Sequence, residues 1–94
     1  MTIEEKIQQM DQQLFAFLIE NNCAEEFAMH MKNRAEVIAR TIPGCQNDRQ
    51  AAVFSGMIAI CYKLADEALV AQSEYEMKAK IEEAERIRRE LAGE

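Results

Sequence analysis

Apolar residues in the second half of the chain recur in steps of three and four. Phe54, Met57, Cys61, Leu64, Ala68, Ala71 and Tyr75 follow one another in this way, which places them on one face of an α-helix. The stretch 48–91 contains one glycine, Gly56, and no proline, so nothing in it forces a break. Unbroken, a helix of about 45 residues is about 67 Å long at 1.5 Å per residue. A compact domain of this size has a radius of gyration near 13 Å. The far end of the helix is therefore expected to project beyond the globular part and to seek a partner.

The same periodicity predicts two shorter helices before it. Thr2 followed by Glu5 is a capping-box pattern, in which the hydroxyl and the carboxylate each satisfy an amide of the first turn. From there Ile3, Ile7, Met10, Leu14, Phe17 and Leu18 line one face, with Phe15 and Ile19 widening it and Gln8, Gln9, Gln12 and Gln13 outside. The first helix stops at Asn21-Asn22. Asn22 with Glu25 forms a second cap, so another helix can begin at Cys23 with Phe27, Met31, Ala35 and Ile38 on its apolar face, flanked by Ala24 and Val37. Glu36 and Arg40 make an i,i+4 pair on its outside. It ends near Arg40, because Pro43 restricts Ile42 and Gly44 can supply a left-handed residue.

Asn47 or Asp48 caps the third helix. Its first half, from Ala51, Ala52, Val53 and Phe54 to Met57, Ile58, Ala59, Ile60 and Cys61, is apolar nearly all round and is expected at the centre of the bundle. Gly56 there costs about 1 kcal/mol relative to alanine, which points to a close helix crossing. After Ala71 the character changes. Apolar positions thin to Tyr75, Met77, Ile81, Ala84, Ile87 and Leu91, while Glu74–Lys78, Glu76–Lys80, Glu82–Arg86 and Glu85–Arg89 each set an acid four residues before a base. Such pairs stabilise an isolated helix by about 0.2–0.5 kcal/mol each. Ser73 with Glu76 is another cap pattern, and a break there would fold the tail back as a fourth helix. No glycine or proline marks a turn at that point, and continuity is favoured.

The predicted fold class is all-α: a single helical domain (1–94) with a globular part (1–71) and a charged, coiled-coil-like helical tail (72–94), a four-helix bundle broken near Ser73 being the alternative. Composition agrees. At 94 residues the chain makes one domain, with 49% hydrophobic and 30% charged residues and only three glycines and one proline. The formal net charge of −6 repels a phosphate backbone, so no direct nucleic-acid binding is expected. Imitation of nucleic acid would suit the same charge, but the acids are interleaved with bases. Cys23, Cys45 and Cys61 are odd in number and form no CxxC pair, which argues against a zinc or redox site and for free thiols in a reducing compartment. The start of the chain is polar and shows no signal-peptide pattern, and the longest apolar run, 14–19, is too short to span a bilayer. A cytoplasmic location, without membrane contact, is the expectation.

No catalytic, metal or nucleotide motif stands out, so neither an enzyme nor a cofactor is expected. His30, the single histidine, sits between two methionines and reads as a surface residue within reach of Glu26. The methionines, among them Met10, Met29, Met31, Met57 and Met77, read as core filler rather than as an adaptable groove. The all-α nucleoside triphosphate pyrophosphohydrolases are similar in size and pair Glu-x-x-Glu with Glu-x-x-Asp on successive helices. Here Glu82-x-x-Glu85 is present on the charged tail and no Glu-x-x-Asp occurs. Arg34, on the otherwise apolar face of the second helix, would want an anion if partly buried. With His30 and Arg49 it marks a candidate anion or small-ligand site.

Asp48-Arg49-Gln50-Ala51-Ala52-Val53, Leu64-Ala65-Asp66-Glu67 and the charged tail resemble the second half of the small Z-ring-associated cell-division proteins. That family oligomerises through such a tail, and the resemblance, which spans about half the chain, implies the same architecture here. At the front the two differ, since that family has a short β-hairpin where this chain has the helix beginning at Ile3. The expected function is a non-enzymatic protein–protein interaction module, a small acidic adaptor, regulator or inhibitor, acting as a homo-dimer or tetramer. Ile3, Ile7, Met10 and Leu14 with Tyr75, Ile81, Ile87 and Leu91 are its candidate interface, since mutual burial would cover them. No a-position Asn or clear e/g charge code selects a parallel or an antiparallel tail.

Overall fold

The computed structural model describes residues 1–93. Three α-helices, α1 (Ile3–Glu20), α2 (Ala24–Thr41) and α3 (Asp48–Ala92), are joined by a tight turn and by a 3-10 segment at Ile42–Gly44. No strand occurs among the described residues. α3 runs for 45 residues straight through Ser73. The fold is thus the three-helix all-α arrangement with a long C-terminal helix, and the four-helix alternative does not form.

Local chemistry sets each boundary. The Glu5 amide donates to Thr2 Oγ1 at 3.2 Å, the hydroxyl half of the expected capping box. At α3 the Gln50 amide donates to Asn47 Oδ1 at 2.8 Å, and the Gln50 side chain accepts in return from the Gln46 amide at 2.9 Å. Between α1 and α2 the expected Asn22–Glu25 cap is replaced by a helix stop. Asn22 adopts φ 53°, its amide donates to the Ile19 carbonyl, and the Cys23 amide donates to the Leu18 carbonyl. This pair of bonds is a Schellman closure with Asn as its left-handed residue. Cys23 then becomes the N-cap residue of α2 without a side-chain bond. Gly44 supplies no left-handed turn, since no glycine has positive φ. α2 instead tightens into the 3-10 segment, with Pro43 inside it.

α2 and α3 pack antiparallel along a seam of small residues. Ala24, Ala28 and Ala35 on one helix meet Cys61, Ala65 and Ala68 on the other, all buried, with Ala35 and Ala65 fully so. Met31 and Ile38 on α2, and Phe54, Ile58 and Leu64 on α3, are half-buried beside them. Alternating steps of three and four on both helices match coiled-coil packing, and alanine lets the two backbones approach closely. α1 joins at one end, where Leu18 packs with Ala24 and Ala68, supported by Leu14, Phe15, Cys23 and Phe27. Residues 1–10 are exposed throughout.

Several expectations fail because the molecule has so little depth. The first half of α3 is not central: Val53, Met57 and Ile60 are exposed and Cys61 alone of that run is buried. Its inner face is rotated from the predicted one, taking in Ile58 and Ala65 and leaving out Met57 and Tyr75. Gly56 makes no close crossing, for a Cβ added there would meet nothing within 4 Å. Met10, Met29, Met57 and Met77 are exposed rather than core filler. None of the four predicted acid–base pairs of the tail forms, nor does Glu36–Arg40. The ion pairs among the described residues are Glu67–Lys63 at 3.9 Å and Glu83–Arg86 at 2.8 Å. Long exposed side chains lose more rotamer freedom than such contacts return.

The molecule measures 73 × 33 × 18 Å, with a radius of gyration of 19.3 Å. From 73 to 93 every residue is exposed.

Candidate functional site

The main candidate is a surface rather than a pocket, and the continuity of α3 creates it. Cys61, Ala65 and Ala68 fix which side of α3 faces α2. Continued at 3.6 residues per turn, that side carries Gln72, Ala79, Glu83 and Arg86. Once α2 ends, the inward face of α3 is polar. Met77, Ile81, Ala84 and Leu91 lie roughly 120–160° around the helix from Cys61. They extend a line begun by Val70 and form an apolar stripe on the back of α3.

The residues expected at an interface divide on this geometry. Ile81 and Leu91 belong to the back stripe, exposed at 51% and 72%. Ile87 borders it, and Tyr75, exposed, lies at the edge of the inward face. On α1, Ile3, Ile7 and Met10 are exposed, whereas Leu14 is half-buried against the Leu18 cluster. In the sequence the tail's apolar residues read as one set. The half-turn between Ala68 and Met77 is visible in their numbering, but its meaning depends on knowing which residues α2 covers.

Arg34 is exposed, not partly buried. It edges a shallow groove of about 220 Å³ between α2 and α3, lined also by Met31, Ile38, Met57, Ile60, Cys61 and Leu64. His30 and Arg49 are exposed and do not line that groove. A larger cleft, about 390 Å³, lies where the start of α2 meets α3 and is lined by Asn22, Ala24, Glu25, Glu26, Gln72 and Glu76. Gln72 Oε1 is buried there without a hydrogen-bond partner. No grouping of three or more His, Cys, Asp or Glu that could hold a metal ion occurs among the described residues, and the three cysteines are free thiols. None of the described helices is long and apolar enough to cross a membrane.

Comparison of the chain with protein-family models, with curated proteins and with solved structures gives no match in any of the three.

Proposed function

We propose that the protein is a non-enzymatic interaction module, a small acidic helical adaptor, regulator or inhibitor that works as a homo-oligomer. The supporting observation is its surface. The accessible area is 7747 Å², against roughly 5,500 Å² for a compact chain of this mass. That excess is more than twice the roughly 800 Å² per partner of a standard protein interface. Seventeen large apolar side chains are exposed among the described residues, and the fully buried positions are filled by alanine rather than by any large side chain. A surface of this kind is stabilised by burial against another chain.

Light scattering on the full chain tests this reading. The expected mass is that of a dimer or tetramer, and it should fall in the I81S/I87S/L91S variant while the chain keeps its helical circular dichroism and a cooperative melt. A monomeric wild-type chain at micromolar concentration overturns the proposal.

A second reading, a small-ligand or nucleotide-binding helical protein, has one observation behind it: Arg34 at the rim of the apolar groove. An anion with an apolar body would suit that pairing of charge and carbon. Thermal melts against a panel of nucleotides and aromatic acids test it, with a shift lost in Arg34→Ala as the expected result.

A further inference from the structure

We infer that the back stripe of α3 pairs with the same stripe of a second copy, antiparallel, about a two-fold axis at Ile81. This rests on the homo-oligomer reading above and specifies its geometry. No helix among the described residues covers the stripe: every residue from 73 to 93 is exposed, and α2 packs on the opposite side of α3 with its N-terminal end beside Gln72.

Three features select a second copy in this orientation. Glu74, Ile81 and Arg88 are spaced seven apart, so they share one edge of the stripe, with Ile81 midway. An antiparallel two-fold at Ile81 sets Glu74 against Arg88 of the other copy, twice. In a parallel pair this edge faces the opposite edge of the other copy, so Glu74 and Arg88 lose that pairing. Neither residue has an ion-pair partner within the chain among the described residues. The same axis also places Met77 beside Ala84 of the other copy, large against small, whereas parallel pairing would stack Met77 on itself and leave Ala84 facing a gap. Finally, the line from Val70 to Leu91 allows about 33 Å of overlap at 1.5 Å per residue, and its paired ends bring those two residues together. An interface of this length is of the size the excess surface allows.

Two measurements on the full chain test the inference. In a background with Cys23 and Cys45 changed to Ser and Cys61 to Ala, I81C should form a disulfide-linked dimer under oxidation. E74C alone should not, because its two copies lie about 21 Å apart along the axis, beyond disulfide reach. A mixture of E74C and R88C should cross-link. In the native-cysteine chain, E74R and R88E should each weaken association by about five- to tenfold, and the E74R/R88E double variant should return it to the wild-type value. Self-linking of E74C and of R88C shows a parallel tail and overturns this geometry while leaving a homo-oligomer standing. A dimer unaffected by any of these changes places the contact on α1 or the α2–α3 groove and also overturns it. A monomer overturns this geometry and the proposed function together.

Discussion

Gln72 donates a hydrogen bond from its side-chain amide to Glu76 at 2.9 Å, and this contact marks where α3 leaves the body of the protein. One turn earlier the inward position is Ala68, buried against Leu18 and Ala24. One turn later the helix is exposed on every side. The carbonyl end of Gln72 remains buried without a partner, so the last inward side chain carries a desolvated oxygen that an apolar residue would not.

Replacing Gln72 by Met keeps the length of the side chain and removes that oxygen. Relief of an unsatisfied buried acceptor is worth about 1 kcal/mol, which should raise Tm by roughly 5 °C for a domain of this size. Calorimetry at matched protein concentration measures it. A fall in Tm would show that the bond to Glu76 outweighs the buried oxygen.

Gly56 lies in the interior of α3 with open space where a side chain would go. Gly56→Ala should therefore stabilise the chain by about 1 kcal/mol through helix propensity alone. Urea denaturation with an unchanged m-value checks this. Destabilisation would reveal a partner backbone packed against that point.

Ala65 is fully buried in the α2–α3 seam. Ala65→Leu should destabilise by about 1–3 kcal/mol through overpacking, lowering the urea midpoint. The same change at the exposed Ala59 should be close to neutral, which separates packing from composition.

Asn22 holds φ at 53°, where a β-carbon is crowded. Asn22→Gly should be within a few tenths of a kcal/mol of wild type, whereas Asn22→Ala should lose about 1 kcal/mol. Thermal melts of the two variants distinguish them. Equal stability would mean that the Cys23 to Leu18 and Asn22 to Ile19 bonds, rather than the φ preference, set the turn.

The candidate surface was half legible in the sequence. Ile3, Ile7, Met10, Ile81 and Leu91 stand out as apolar residues on otherwise charged helices, and all five are exposed. Arg34 stands beside Ala35 on the otherwise apolar face of α2. One residue is a rotation of about 100°, and this sets the Arg34 side chain at the rim while Ala35 is buried in the seam. The predicted tail pairs are compatible with helical spacing, but spacing only brings such residues within range, and solvation decides whether they meet.

The sequence by itself determined the helices. The alternation of three and four, Thr2 and Asn47 as caps, Pro43 near the end of α2 and the unbroken run after Asp48 are local signals, and local hydrogen bonding answers to them. The use of Asn22 as a left-handed stop rather than a cap is equally local, but both uses suit asparagine, and the stop is the one that lets Cys23 pack against Leu18. Only the tertiary structure decided which faces are spent. An apolar residue is written the same way whether a neighbouring helix covers it or not, so the burial of Ala28, Ala35 and Ala65, the exposure of Val53 and Ile60, and the opposite facing of Ala68 and Met77 on one continuous helix follow from where α2 ends, a property of the packed molecule and not of any segment within it.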